Sequence, residues 1–126
     1  MNLLEIKHED KTAQGFSLGA YLLMVLASNL KFKKIKLISP TPLFNETINK
    51  LGEIEKLIDI KQSTYSIEEL CKKIDCEVEI YVGENEADLV KDTALKIATE
   101  LGIELKVVKG ANHSNVLNKM KELSLL

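Results

Sequence analysis

Residues Gly15 to Gly19 read GFSLG, and the apolar segment AYLLMVLA follows them directly. The two glycines flank Ser17, with one residue between on each side. A sharp turn from a strand into a helix needs small flanking residues, because larger side chains would collide there. Such a turn exposes the hydroxyl at the start of a helix, where backbone N–H groups and the helix dipole favour a developing anion. The pentapeptide therefore predicts either a nucleophilic serine or, more simply, a serine that caps a helix.

The composition is that of an ordinary soluble globular protein. The chain has 126 residues, of which 45% are hydrophobic and 29% charged, and this size suits one domain spanning residues 1–126. A formal net charge of −2 gives no electrostatic reason to expect a nucleic-acid partner. The N-terminus lacks the pattern of a signal peptide, and the longest apolar stretch, residues 20–27, is too short to span a bilayer.

The cysteines indicate a reducing compartment. Cys71 and Cys76 are the only two, and their C-x4-C spacing matches no usual pair of zinc ligands. We interpret them as reduced packing residues of a cytoplasmic protein.

Short apolar strands alternate with helical segments along the chain. The alternation indicates parallel βαβ units, and it predicts an α/β fold with about three or four parallel strands flanked by helices. Residues 3–6 are compatible with a short helix or an extra strand, and residues 10–14, DKTAQ, make a poor strand. The predicted strands are residues 34–39, 77–83 and 104–110, and the predicted helices are residues 18–30, 47–60, 66–74, 88–101 and 116–125.

Polar residues follow the last two predicted strands. Glu84, Glu86 and Asp88 come after residues 77–83, and His113 lies in GANHS after residues 104–110. Catalytic groups of open α/β sheets collect at the carboxyl ends of the strands. The chain thus carries a serine, an acid and a histidine in that order, each at a strand end.

These segments together resemble the C-terminal half of an α/β-hydrolase, over residues 13–125. GFSLGAYLL is similar to the nucleophile elbow and its helix, and KIKLISPTPLF to the following strand and its proline-containing loop. VEIYVGENEAD resembles the strand and turn that hold the acid, and LKVVKGANHS the strand and loop that hold the histidine.

The resemblance implies a serine hydrolase that acts on an ester or thioester, without a metal or an organic cofactor. Ser17 would be the nucleophile, His113 the general base, and the Leu18 N–H one oxyanion donor. The acid usually lies three residues after the glycine that ends its strand, which is Glu86 here. Asp88 stays open as the alternative. The simpler interpretations are a surface histidine at position 113 and a solvated turn carboxylate at position 86.

Two expectations follow from a departure from the family pattern. The family has several strands before the elbow, which supply the second oxyanion donor, whereas 14 residues precede Gly15 here. The alternative function is therefore a non-catalytic, hydrolase-like binding module. We also expect residues 1–12 to cover the strand entering the elbow only in part. A second copy of the chain or a separate polypeptide would then cover the exposed sheet edge.

Overall fold

The computed structural model describes residues 3–44 and 65–126, and it confirms the predicted α/β class. The helix predicted at residues 47–60 lies outside the described residues. The strands are β1 (Leu4–Lys7), β2 (Thr12–Phe16), β3 (Lys34–Ile38), β4 (Glu77–Gly83) and β5 (Leu105–Val108). The helices are α1 (Leu18–Ala27), α2 (Ile67–Lys73), α3 (Asp88–Leu101) and α4 (Val116–Glu122).

The described strands form one five-stranded sheet in the order β1-β2-β3-β4-β5. Strands β2 to β5 are mutually parallel, in agreement with the predicted three or four parallel strands, and β1 is antiparallel to β2. The register places Phe16 beside Ile38, and Ile38 beside Tyr81. The residues that follow the parallel strands therefore lie together at the carboxyl ends of the strands.

The N-terminal segment is a strand, so β2 is not an edge strand. Of the two alternatives for this segment, a short helix or an extra strand, the structure has the strand. Residues 4–7 pair with residues 12–15, and the Phe16 N–H donates to the Leu3 carbonyl at 2.7 Å. The expectation that residues 1–12 would cover β2 only in part was wrong, because the chain folds back through residues 8–11 and pairs along the whole of β2. Among residues 3–44 and 65–126, no strand pairs with the outer side of β1, which is therefore the free edge on this side of the described sheet.

One face of the sheet carries the larger core. Helix α1 packs on β2 and β3, α3 packs on β4, and α2 contacts both helices. The helix ends follow their sequence signals: Ser66 Oγ accepts the Glu69 N–H at 2.9 Å, and α3 ends at Gly102 with φ 67°. The core includes the fully buried residues Leu23, Met24, Ile35, Leu37, Ile80 and Ile97.

The opposite face is covered by α4 near the carboxyl ends of the strands and is charged near their amino ends. Lys34 Nζ lies 2.8 Å from Glu79 and 3.2 Å from Glu77, and Lys106 Nζ lies 3.7 Å from Glu79. The Lys34 ammonium holds the pKa of Glu79 below its usual value, and burial raises the pKa of Tyr81 to about 12. No helix of the described residues covers this charged half, and its side chains are partly exposed to water.

Two glycines let α1 approach the β1–β2 hairpin closely. A Cβ at Gly15 would lie 2.4 Å from the Gly19 carbonyl oxygen, and one at Gly19 would lie 1.8 Å from the Leu3 carbonyl oxygen. Both distances are far inside van der Waals contact, so a side chain at either position would push α1 away from the hairpin. Glycine is needed at these two positions because the neighbouring backbone leaves no room for a side chain.

We expect Gly19→Ala to lower the free energy of unfolding by about 1–3 kcal/mol, because the added methyl group displaces Leu3. The Phe16 amide, which donates to Leu3, should then exchange faster with solvent. Urea unfolding and amide hydrogen exchange measure the two effects. Leu22→Ala, on the exposed side of the same helix, is the control. Parent-like stability and parent-like Phe16 protection in Gly19→Ala would contradict the prediction.

Candidate active site

Ser17 alone connects β2 to α1, and its backbone is held in an unusual conformation. Its φ is 57° and its ψ is −120°, a region that costs a non-glycine residue roughly 1–3 kcal/mol. Hydrogen bonds to β3 and its loop support this conformation, since the Ser17 N–H donates to Ile38 at 3.0 Å and its carbonyl accepts from Thr41 at 3.1 Å. The Ser17 side chain makes no capping hydrogen bond to α1. The simple capping role therefore does not describe this serine.

His113 lies beside the Ser17 hydroxyl. The distance from His113 Nε2 to Ser17 Oγ is 3.0 Å, which is within hydrogen-bond reach. The imidazole packs on the Phe16 ring with their centroids 4.8 Å apart. The loop is braced locally, because Asn112 Oδ1 accepts the N–H groups of Ser114 and Asn115. The structure thus brings together a serine and a histidine that are 96 positions apart.

Glu86 is buried and contacts the other side of the imidazole. Its Oε1 lies 2.5 Å from His113 Nδ1, and its Oε2 accepts the Gly83 N–H at 2.6 Å and the Ser39 hydroxyl. A carboxylate can only accept, so Nδ1 carries the proton of the neutral imidazole, and Nε2 is left to accept from Ser17. The three donors offset the free-energy cost of burying this charge.

The other two candidate residues occupy different places. Asp88 begins α3, its side chain is 96% exposed, and it lies 3.9 Å from Lys91. The structure therefore brings Glu86, and not Asp88, to the imidazole. Leu18 begins α1, and its N–H belongs to the first turn, whose donors have no acceptor within the helix.

The loop that carries Glu86 is locked to the loop that carries His113. The Glu84 N–H donates to Val108 at 3.0 Å, and the Asn85 N–H donates to Ala111 at 2.8 Å. In return, the Gly110 N–H donates to Glu84 Oε1 at 3.0 Å. These bonds fix the positions of the two loops relative to each other.

Ser39 belongs to this cluster, although sequence reasoning missed it. It follows β3, is fully buried, has φ 46° and donates its hydroxyl to Glu86. The signal that could have found it is a polar residue between the apolar end of a strand and Pro40, where a buried hydroxyl needs a partner.

Neither a metal cluster nor a membrane-spanning helix is found in the described ranges. Within residues 3–44 and 65–126, no three His, Cys, Asp or Glu side chains are grouped so that they could hold a metal ion. No helix in those same ranges has the length and apolar character needed to cross a bilayer.

Comparison with known proteins identifies the fold. No protein-family model and no curated protein matches the sequence. An α/β-hydrolase enzyme from the metagenome of sediments of the Mar Chica lagoon, Morocco, superimposes with a TM-score of 0.64 at 16% identity, over 88% of this chain. The chain has an α/β-hydrolase-like fold. An α/β serine hydrolase homologue from Coxiella burnetii gives a TM-score of 0.58 at 21% identity, over 89% of this chain.

The α/β-hydrolase-like chain spans about half the length of three of the structures that it matches. It covers 56% of the Mar Chica enzyme and 46% of the Coxiella protein. It also covers 63% of a structure from work on carboxylesterases of the ammonia-oxidizing thaumarchaeon Nitrososphaera gargenis, with a TM-score of 0.59 at 16% identity over 92% of this chain. At these identities the likeness establishes the fold, and the chemistry has to be argued from the site.

We expect Gly83→Ala to separate the two loops of the site. A Cβ at Gly83 would lie 2.5 Å from the Ala111 carbonyl oxygen and 3.2 Å from Glu86 Cγ. The clash should weaken the Glu86–His113 hydrogen bond, which the downfield proton NMR signal of the imidazole Nδ1–H reports. Ala87→Gly, at a residue with φ −56° beside the same loop, is the control. An unchanged NMR signal in the folded Gly83→Ala variant would contradict this prediction.

Proposed function

We propose that the chain is a serine hydrolase that cleaves an ester or thioester, with Ser17, His113 and Glu86 as its catalytic triad. The observation that carries the proposal is the unbroken hydrogen-bonded path from Ser17 Oγ through His113 to Glu86, with distances of 3.0 Å and 2.5 Å. A turn that presents Ser17 as a nucleophile elbow, and a serine side chain that caps nothing, also support it.

In the proposed acylation step, His113 Nε2 takes the Ser17 proton while Ser17 Oγ attacks the substrate carbonyl carbon. The tetrahedral intermediate places its negative charge on the former carbonyl oxygen, where the Leu18 N–H donates to it. The carbon–oxygen or carbon–sulfur bond then breaks, and the imidazolium gives its proton to the leaving alcohol or thiol. This leaves Ser17 acylated. Water, deprotonated by His113, then attacks the acyl carbon, the bond to Ser17 Oγ breaks to release the acid product, and the imidazolium returns its proton to Oγ.

Glu86 has the role of fixing the imidazole tautomer and stabilising the imidazolium. Its carboxylate accepts the hydrogen bond of the Nδ1–H group throughout, while Gly83 and Ser39 donate to its other oxygen. A glutamate in this role is compatible with the turn after β4, because Glu86 is buried whereas Asp88 faces solvent.

The alternative function is a non-catalytic binding module with the same fold. It is favoured by the single oxyanion donor, the Leu18 N–H, that we assign within residues 3–44 and 65–126. Removal of one oxyanion donor costs about 100- to 1,000-fold in kcat in a characterised hydrolase. We therefore expect slow turnover when the chain acts alone.

A fluorophosphonate probe and p-nitrophenyl acetate test the triad. The parent should be labelled once, at Ser17, and Ser17→Ala should abolish labelling and hydrolysis. Glu86→Gln should lower kcat by up to about 10,000-fold, because the amide no longer fixes the tautomer. Asp88→Asn, which removes an exposed charge, should keep the parental kcat.

The binding-module alternative gives a different pattern. A folded parent that takes no label and shows no Ser17-dependent hydrolysis would favour it. Hydrolysis that is equally fast in Ser17→Ala would show that Ser17 is not the nucleophile. Intact-mass spectrometry identifies the labelled chain, and circular dichroism confirms that each variant is folded.

We propose a cytoplasmic location on the basis of the thiols. Neither Cys71 nor Cys76 forms a disulfide, and the first is buried and the second half-buried. Burial, with Asp75 and Glu77 nearby, raises the pKa of Cys76, so this thiol is poorly reactive at neutral pH. Two inert thiols suit a reducing compartment.

We further propose that a second copy of the chain covers the free edge of β1. Antiparallel pairing of two β1 strands about Ile6 would place Glu5 opposite Lys7 of the second copy, and Lys7 opposite its Glu5. Opposite charges in cross-strand positions favour pairing, so the sequence LEIK is complementary to itself.

Charge substitutions test the dimer. Glu5→Lys and Lys7→Glu should each weaken self-association by roughly 2- to 30-fold, because like charges then face each other in both symmetric pairs. The double variant should restore it. Sedimentation velocity at micromolar concentration measures the dissociation constant. A parent that stays monomeric while β1 is protected from hydrogen exchange would show that no second copy is needed.

A further inference from the structure

We propose that Ser39 is a positioning residue of this site: it holds the Glu86 carboxylate so that Oε1 faces His113. The inference rests on the proposed function, because it assigns Ser39 a role in the same proton transfer. Ser39 does not contact His113 or Ser17 through its hydroxyl, so it acts through Glu86.

The two oxygens of the Glu86 carboxylate have separate partners. Oε2 accepts both the Gly83 N–H and the Ser39 hydroxyl, whereas Oε1 faces His113 Nδ1. Rotation of the carboxylate would break both bonds at Oε2 in a site that excludes water, because the Glu86 side chain is fully buried. The two donors therefore determine which oxygen reaches the imidazole.

Glutamate needs this support more than aspartate would. Its side chain has one more rotatable bond, so more conformations must be excluded to hold the carboxylate in one place. The Gly83 N–H is fixed by the backbone of β4. A single hydrogen bond from it would still leave the carboxylate free to rotate about the axis of that hydrogen bond. Ser39 directly follows β3, and its hydroxyl donates the second hydrogen bond to the carboxylate.

The backbone of Ser39 is built to deliver this hydroxyl. Its N–H donates to Tyr81 at 2.8 Å and extends the β3–β4 pairing by one residue. Its φ of 46° then turns the chain into Pro40, so that the Thr41 N–H reaches the Ser17 carbonyl. The left-handed conformation favours glycine. A serine there keeps a donor that glycine lacks.

A purely structural role for Ser39 makes a different prediction from a positioning role. If the hydroxyl only satisfied a buried acceptor, its removal would lower stability and leave kcat of the folded protein unchanged. If it orients Glu86, its removal must change the imidazole environment and lower kcat even in a folded variant.

Ser39→Gly and Ser39→Ala, compared with the parent, test the proposal. Glycine removes the hydroxyl and also relieves the left-handed backbone, so this variant provides a folded test even if alanine destabilises the protein. Both should lower kcat for p-nitrophenyl acetate by about 10- to 100-fold with KM unchanged, because a small misplacement of the catalytic groups is enough. The downfield Nδ1–H signal of His113 should shift or broaden in both.

Ser124 provides the matched control. It is exposed, its φ is 57°, and it lies in the C-terminal segment, so Ser124→Gly and Ser124→Ala make the same chemical and backbone changes elsewhere. Both should keep the kcat and NMR signal of the parent. Parental kcat and an unchanged signal in folded Ser39→Gly would overturn the proposal.

The NMR signal separates a failure of this inference from a failure of the proposed function. If the parent takes no fluorophosphonate label and hydrolyses no ester, the hydrolase proposal fails. The Nδ1–H signal of that inactive parent still reports the Glu86–His113 bond. A shift on loss of the Ser39 hydroxyl then supports positioning, and no shift overturns it.

Discussion

The close approach of α1 to the β1–β2 hairpin is the constraint on which the site depends. Because Gly15 and Gly19 carry no Cβ, β2 passes into α1 through Ser17 alone, and the backbone there takes φ 57°. The hydrogen bonds of Ser17 to Ile38 and Thr41 then tie this turn to the end of β3. The position of the serine hydroxyl is thus set by packing between backbones, before any side chain of the site contributes.

The sequence predicted the elements whose patterns are long. Residues 77–83 and 88–101 were predicted with the bounds that β4 and α3 have, because seven alternating residues and four helical turns leave little ambiguity. Residues 3–6 could not be assigned, since LLEI is too short to distinguish a period of 2 from one of 3.6. The last three residues of DKTAQ begin β2, which is paired on both sides, and their composition does not show this pairing.

The sequence predicted only those parts of the candidate site that follow from the order of residues along the chain. Order along the chain pointed to Ser17 and His113, which lie 3.0 Å apart. The choice between Glu86 and Asp88 depends on the width of one turn, which the close approach of Gly83 to Ala111 sets. The bond from Ser39 to Glu86 joins residues 47 positions apart, and nothing local marks it beyond a serine before a proline.

The distance along the chain between Ser17 and His113 has a consequence for folding. Their contact joins positions 96 apart, so it depends on the assembly of the strands from β2 to β5. Contacts of such high sequence separation form slowly, because closing the intervening loop costs entropy. A local opening of β5 and α4 would break this contact and leave the β2–β4 core paired. The geometry at Ser17 is therefore a sensitive reporter of whether β5, α4 and the loop between them are folded.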